Sequence, residues 1–354
     1  MRPILRLVLG IVAGAATALP AAGQASLAPT RHTLSGSSAA VYDLAGTVKL
    51  VAGSGSDVVV EVTRRGPDAA KLEVQAGEVR GRQALRVIFP DDEIVYPELG
   101  RWSNTTMHVR DDGTFGDGRG ESRSRRVRIE GDGDGLEAWA DITVSVPRGK
   151  QFALYLGVGA AEVSNVDGDL TIDVGAASVR ATGTRGSLKL DTGSGEVVVR
   201  DANGTLDIDA GSGGMTLERV SGASLVLDAG SGGITGTDID VARISFDLGS
   251  GRTRLRNVKA QELELDTGSG GVDLGLTSDV DRLRVESGSG SVTLRLPESL
   301  GAEVDIDTGS GDIDSEIPLT VTRRSRGRLV GRIGDGRGTI QIDAGSGSVR
   351  LVRG

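Results

Sequence analysis

The chain has 354 residues, of which 55 are glycine and only 3% are aromatic, and it contains no cysteine. The formal net charge of -9 and an isoelectric point near 5.0 argue against nucleic acid as a partner, because binding to phosphates requires a basic face. Without cysteine there are no disulfides, so packing alone must stabilise the fold.

The first 25 residues have the pattern of a secretory signal peptide. Arg2 and Arg6 give a positive start, an apolar run follows from Ile4 to Leu19, and small residues surround Gly23. We therefore predict a cleaved signal peptide over residues 1–25 and export to the periplasm, the cell surface or the medium. Later segments are too polar to span a bilayer as a helix, so no transmembrane span is predicted in the mature chain.

Residues 26–150 are predicted to form an N-terminal β region that continues into the later repeats. The segment 48–61 has the order strand, Gly-Ser-Gly turn, strand, and we interpret it as a version of the later repeat. The segments 72–79 and 84–89 alternate apolar and polar residues as strands do.

Residues 91–135 interrupt this pattern and are predicted to be a polar insertion rich in Gly, Asp, Arg and Ser. Long loops on rigid scaffolds often carry function, so the insertion is the predicted binding feature, and the alternative is a solvated loop. Its candidate binding residues are three aromatic residues expected to be exposed and a basic cluster: Tyr96, Trp102, Phe115, Arg119, Arg123, Arg125, Arg126 and Arg128.

From residue 151 to residue 354 one phrase, Asp-x-Gly-Ser-Gly, returns between alternating apolar segments. Asp173 and Glu286 begin variants of it, and the spacing is 18 to 21 residues before a final interval of 36. A fixed period of this kind predicts an all-β, single-stacked β-solenoid, or β-helix-like repeat, in which each unit packs against its neighbours. Intact phrases begin at Asp191, Asp209, Asp228, Asp247, Asp266, Asp307 and Asp343.

Within one unit the alternation separates an inner face from an outer face. Leu188 and Leu190 are expected inside, with Asp191 outside. Small aliphatic residues suit a narrow interior between two sheets, which explains the shortage of aromatic residues. The short, charged segment 349–353 is expected to be the last strand of the rod, with its edge protected by charge.

The outward aspartates are expected to stack at a spacing of about 4.8 Å, where neighbouring charges repel. Either divalent cations, with calcium as the candidate, offset this repulsion, or each carboxylate accepts hydrogen bonds from the N–H groups of its own turn. We favour the second interpretation, which needs no cofactor. The candidate metal ligands are Asp191, Asp209, Asp228, Asp247, Asp266 and Asp307.

Catalysis has little support in the sequence. His32 and His108 are the two histidines, and no Gly-x-Ser-x-Gly elbow precedes a helix. Some carbohydrate-cleaving enzymes are β-helices with exterior acids, so a carbohydrate-active enzyme remains one alternative.

Three further stretches, together with the repeated phrase, carry a family resemblance. They are Val146-Pro147-Arg148-Gly149, the stretch from Leu296 to Glu303, and Gly334-Asp335-Gly336. Over residues 40 to 354 the chain resembles the bacterial β-strand-repeat family labelled "putative adhesin", also called the toastrack domain. The resemblance implies an exported or envelope-associated protein and supplies no catalytic residues.

We therefore predict a non-enzymatic, exported β-solenoid that acts as an adhesin-like interaction or scaffold module, with an envelope protein or glycan as partner. The alternatives are the carbohydrate-active β-helix enzyme and a structural rod that binds divalent cations.

Overall fold

A computed structural model describes residues 26–116 and 124–354. The predicted signal peptide, together with Arg119 and Arg123, lies outside the described residues. The described residues form strands, with short 3-10 turns at Ala69–Lys71 and Pro97–Leu99. The strands are β1 (Thr30–Leu34), β2 (Ser38–Gly53), β3 (Val58–Arg65), β4 (Glu73–Val79), β5 (Arg82–Ile88), β6 (Glu93–Val95), β7 (Asn104–Arg110), β8 (Ser124–Glu130), β9 (Leu136–Glu137), β10 (Trp139–Pro147), β11 (Lys150–Ser164), β12 (Gly168–Thr182), β13 (Arg185–Ser194), β14 (Val197–Arg200), β15 (Asn203–Ser212), β16 (Met215–Ser231), β17 (Ile234–Ser250), β18 (Thr253–Lys259), β19 (Glu262–Thr267), β20 (Val272–Leu276), β21 (Arg282–Ser287), β22 (Val292–Leu296), β23 (Ala302–Thr308), β24 (Ile313–Ser315), β25 (Thr320–Ser325), β26 (Arg328–Ile333), β27 (Gly338–Ala344) and β28 (Val349–Arg353).

Successive units stack in parallel, which confirms the predicted all-β solenoid with units of 18 to 21 residues. One wall, which we call the front wall, runs through β2, β11, β12, β13, β15, β16, β17, β19 and β21. In this wall Leu190 lies between Ile172 and Ile208. The second half of each unit forms a back wall by the same kind of pairing.

Aliphatic side chains fill the space between the two walls. Leu188, Leu190, Val197 and Val199 are each no more than 3% exposed, as their alternation predicts. Phe152 and Phe246 are large rings that the front wall places in this interior. Burial of apolar surface, repeated at every rung, is therefore the main stabilising contribution to a chain without disulfides.

Glycines at the corner between the walls allow the backbones of successive turns to come close together. Gly213 has a φ of +125°, and a Cβ atom at this position would lie 2.0 Å from the carbonyl oxygen of Gly195. Any side chain would therefore collide with the turn of the preceding rung. The Gly-Ser-Gly phrase is thus a structural corner of the scaffold.

The last part of the chain does not stack in sequence order. Strand β27 lies between β21 and β23, and strand β28 lies between β22 and β24. The rung that begins at Ala302 is therefore beyond the C-terminal rung, and its front strand β23 pairs with the antiparallel hairpin β25–β26. The expectation that segment 349–353 forms the edge of the rod was wrong, because this strand is paired on both sides.

The N-terminal region adds rungs and antiparallel strands to the same sheet. Strand β2 pairs in parallel with β10 and β11, whereas β3 runs antiparallel to β1 and β10. Because β10 lies between β2 and β3, the phrase Gly53-Ser54-Gly55 reverses the chain after β2 and is not a stacked corner. The interpretation of this turn as a solenoid repeat was wrong.

The interrupted segment forms a second, four-stranded sheet in the order β7, β8, β6 and β9, which we call the small sheet. It packs on the N-terminal end of the front wall. A Cβ atom on Gly157 would lie 2.7 Å from the Sδ atom of Met107, so the absence of a side chain at Gly157 makes room for this contact. The alternative of a solvated loop was wrong for the described part of the insertion.

Candidate functional site

The outward carboxylates of the front wall form one unbroken series, which we call the acidic row. Pairing registers connect each member to the next, and the C-terminal rung supplies Asp343 between Glu286 and Asp307. In spatial order the row consists of Asp173, Asp191, Asp209, Asp228, Asp247, Asp266, Glu286, Asp343 and Asp307.

The electrostatics of the acidic row differ from the favoured sequence interpretation. Burial and the neighbouring Asp191 carboxylate raise the pKa of Asp173 to about 7. Desolvation and adjacent aspartates also raise the pKa of Asp191 and of Asp228. Hydrogen bonds from turn N–H groups would lower these values, and within the described residues these three carboxylates accept none. The proposed hydrogen bonds to their own turns are therefore wrong at these positions.

At the phrases that begin at Asp266 and Glu286, the side chain that follows the carboxylate bonds the turn. The Thr267 hydroxyl donates to the carbonyl of Gly270 at 3.3 Å, and the Ser287 hydroxyl donates to the carbonyl of Gly290 at 2.9 Å. These hydroxyls point inward, next to the carboxylates in sequence. Among residues 26–116 and 124–354, no group of three or more acidic or histidine side chains converges as a metal site would.

Aromatic residues replace carboxylates at the N-terminal end of the row. Tyr155 is in register with Asp173, and Tyr42 follows it in the next strand. The two rings stack with centroids 4.5 Å apart, and Arg82 donates to both hydroxyls, at 2.7 Å and 3.2 Å. Phe115 packs edge-on against Tyr42. Phe115, which follows β7 in the insertion, therefore closes this end of the row together with the two tyrosines.

Two of the three aromatic residues predicted to bind a ligand are buried, so their predicted exposure was wrong. Phe115 is 2% exposed and covers the tyrosine pair. Tyr96 is 1% exposed, packs edge-on against Trp139, and donates its hydroxyl to Glu98. Both rings are buried because the insertion folds into a sheet with an apolar inner face.

The described arginines of the predicted basic cluster hold the small sheet together or face solvent. Arg125 bonds to Asp92 and to the backbone carbonyl of Phe89. Arg128 pairs with Glu130, and Arg126 is exposed opposite His108. The paired carboxylates neutralise much of the positive charge of Arg125 and Arg128. The described arginines therefore do not form one basic site with Trp102.

Trp102 is 90% exposed and has a φ of +75°. The N–H of Ser103 donates to the carbonyl of Gly100 at 3.0 Å, which makes Trp102 the third residue of a tight turn. A positive φ at that position normally selects glycine or asparagine. A bulky ring held there without packing contacts costs stability, and such strain concentrates at functional sites.

The Trp102 turn lies beside the corner of the rod and forms a cleft of ≈ 580 Å³ with it. Small side chains and backbone form the wall that belongs to the rod, whereas the small-sheet segment supplies an aromatic ring, an amide and a carboxylate. We call this space the Trp102 cleft. Its lining includes Glu98, Trp102, Ser103, Asn104, Gly159, Ala176, Ser178, Ser194 and Gly195.

Sequence reasoning identified Trp102 but missed the rod side of the cleft. Ser194 belongs to a Gly-Ser-Gly phrase, and the outward position of that serine could have been inferred from the alternation. That these serines face the insertion could not be inferred, because nothing local specifies where the insertion packs.

One further carboxyl group is buried away from any surface. Asp43 is 0% exposed, and its pKa is raised well above the ordinary range, mainly by burial. Its oxygens lie near the N–H groups of Leu44 and Ala45 without completing a hydrogen bond of normal geometry. Because a substrate could not reach it, Asp43 does not form an active site with the acidic row.

In the part of the chain that the structure describes, no helix has the length and hydrophobicity required to cross a membrane.

Comparison with known proteins gives one family and one distant structure. The family described as Toastrack DUF4097 matches residues 139–352, from the start of β10 into the last strand. A search of curated proteins found no match. A crystal structure of a "putative cell adhesion protein" from Clostridium sporogenes aligns with 92% of this chain and 100% of its own, at 10% identity and a TM-score of 0.21. So low a TM-score supports no argument about function.

Proposed function

The chain belongs to the Toastrack DUF4097 family, and from this premise we propose that it is an exported, non-enzymatic, adhesin-like module that binds its ligand in the Trp102 cleft. The rod acts as a rigid support, and the small sheet presents the recognition surface. An envelope glycan or an envelope protein is the partner class that we expect, and the site of action is the periplasm or the cell surface.

The observation that carries this proposal is the exposed side chain of Trp102 on a backbone with a strained, positive φ. A large exposed apolar residue is informative because folding alone would bury it. Here the backbone is also held in a conformation that disfavours any residue with a Cβ atom. A ligand that stacks on the indole would recover the apolar surface that the free protein leaves in water.

The chemistry of the cleft favours a neutral glycan over a charged ligand. Ser103, Asn104, Ser178 and Ser194 bring hydroxyl and amide groups to the same cleft as the indole. A sugar ring offers an apolar face for stacking and hydroxyls for these polar groups. Glu98 is the acidic side chain in the lining, and its carboxylate already accepts a hydrogen bond from Tyr96.

The test compares the mature protein with two variants on a glycan array and in pull-downs of envelope material. Trp102→Gly removes the ring and suits the positive φ, so we expect binding to fall at least tenfold while the melting temperature stays the same or rises. Val226→Ala, which trims another exposed apolar side chain on the rod, is the matched control. Retention of all binding by Trp102→Gly would overturn the proposal.

Cleavage of a glycan is the second candidate function, and one observation favours it. The raised pKa of Asp173 suits a general acid, and the adjacent Asp191 carboxylate lies one rung away, a separation similar to that of the two acids in retaining glycosidases, about 5 Å. Release of product from a polysaccharide panel by wild type, but not by Asp173→Asn, would establish this activity. Binding of a polysaccharide without release of product supports the non-enzymatic, adhesin-like module.

A further inference from the structure

The C-terminal end of the rod contains a second basic cluster, on the hairpin β25–β26. Strand β25 is exposed at every residue, and β26 pairs with the outermost front strand, β23. The hairpin therefore extends the front wall past the last complete rung. Its arginines are Arg323, Arg324, Arg326, Arg328 and Arg332.

Cross-strand register separates these arginines into two groups. Arg328 lies opposite Asp307 on the outer face and bonds to Asp305 at 2.9 Å, and Arg332 bonds to Glu303 at 2.6 Å. Arg324 is instead paired with Leu329, which is buried opposite Ile306. Arg324 therefore lies on the inner face, at the open mouth of the rod.

The mouth forms a cavity of ≈ 520 Å³, which we call the tip pocket. Arg324 and Arg326 line it on the hairpin side together with Arg328, which also bonds to Asp305, and the terminal turn Gly309–Gly311 lines the other side. Among the described residues, neither Arg324 nor Arg326 has a carboxylate partner, and the Nε atom of Arg328 is buried without an acceptor. Asp312 is the acidic side chain in the lining.

We propose that the tip pocket binds a phosphate monoester. Two free guanidinium groups match its charge of about -2, and their forked donors suit its oxygens. The volume is in the range of small-ligand sites, so the group that carries the phosphate has the size of a single sugar. In the free protein Arg324 and Arg326 form no ion pair within the described residues, although the chain has a net charge of -9.

The tip pocket lies at the opposite end of the rod from Trp102, so it does not depend on the function proposed above. Protection of the open edge of β25 against aggregation is the simplest competing role, since charged side chains on edge strands prevent pairing with other chains. That role requires charge on the hairpin but no particular face. The two explanations therefore differ in which arginines matter.

The experiment measures binding of glucose 1-phosphate by isothermal titration calorimetry, with glucose as the neutral comparison. Arg324→Ala/Arg326→Ala is compared with Arg323→Ala/Arg337→Ala, which removes the same charge from side chains outside the tip pocket. We expect affinity to fall at least tenfold in the first variant and less than twofold in the second. Arg324→Gln/Arg326→Gln replaces the first variant if its melting temperature falls.

Vesicles distinguish the source of the phosphate. If wild-type protein binds phosphatidic acid vesicles and glucose 1-phosphate equally, it recognises the phosphate group itself. If it binds glucose 1-phosphate alone, the ligand is a soluble sugar phosphate. Both results support the proposal. Equal loss of affinity in both double variants, or no binding of either probe by wild type, overturns it. The protein could instead self-associate at low salt, through Arg324 and Arg326, and bind no phosphate. That result would mean that the tip binds the acidic row of a second copy of the chain.

Discussion

The front wall has a covered end and a bare body, and the two differ although their strands pair in the same register. At the covered end the small sheet lies on the wall, and the outward positions hold the stacked pair Tyr42 and Tyr155. Along the bare body the same positions hold exposed carboxylates such as Asp228 and Asp247. What lies above the wall, and not the wall itself, decides which side chain an outward position accepts.

The largest effect expected from this comparison follows from loss of the aromatic cluster. Tyr42→Ala should lower the free energy of unfolding by about 3 to 5 kcal/mol, because it leaves a cavity under Phe115 and removes a hydrogen bond from Arg82. Asp228→Ala in the bare body should change it by less than about 0.5 kcal/mol. Urea unfolding measures both free energies of unfolding. Similar losses of stability would show that the covered end and the bare body do not differ energetically.

Close packing of the small sheet should produce the next largest effect. In Gly157→Ala the new methyl group would lie 2.4 Å from the carbonyl of Leu44 and 2.7 Å from the Met107 sulfur. We expect a loss of about 2 to 3 kcal/mol and faster proteolysis within residues 91–135. Gly214→Ala is the control, because nothing lies within 4 Å of its Cβ position. Normal protease resistance in Gly157→Ala would contradict the described contact.

The pH dependence of stability should also separate the covered end from the body. The folded-state pKa of Asp173, raised to about 7, exceeds its ordinary value of about 4, so the unfolded chain releases this proton first as pH rises. Its contribution to stability is complete below pH 4 and is lost as pH rises through 7. Asp173→Asn should therefore be more stable than wild type at pH 8 by about 1 to 2 kcal/mol, with partial exposure taken into account, and should match it at pH 4.

Melting curves at both pH values test this expectation. Asp247→Asn removes one charge from the bare body, and we expect a change below about 0.5 kcal/mol. An equal gain in both variants would mean that repulsion along the whole row, and not burial beneath the insertion at Gly116, perturbs Asp173.

The smallest effect concerns cations along the acidic row. Salt screens repulsion between exposed carboxylates, so the melting temperature should rise by a few degrees between low and physiological ionic strength. Calcium chloride should match sodium chloride at equal ionic strength if screening is the whole effect. Millimolar calcium could instead raise the melting temperature further. If a chelator reverses that rise, and Asp209→Asn/Asp228→Asn abolishes it, the protein is the cation-binding rod predicted as an alternative.

The sequence predicted the solenoid well because its evidence is local. Alternation places Leu188 inside and Asp191 outside regardless of what packs nearby, and the glycine spacing marks each corner. The failures concern contacts between distant segments. Phe115 stands among polar residues and glycines, and Tyr96 follows the short apolar pair Ile94-Val95 within a polar insertion. The burial of both rings depends on where the insertion docks. The units that begin at Asp307 and Asp343 carry the same phrase, so nothing local specifies that Asp343 stacks before Asp307. The interval of 36 residues was the available indication.

The insertion of β27 and β28 between earlier rungs has a consequence for biosynthesis. Most rungs can assemble in the order in which they emerge during synthesis or export, each on the one before. The rung formed by β23 and β24 cannot, because it stacks on β27 and β28, which are synthesised after it. A product that ends before Gly338 therefore leaves the terminal rung and its arginine hairpin without a base, so only chains that include β27 and β28 complete the tip.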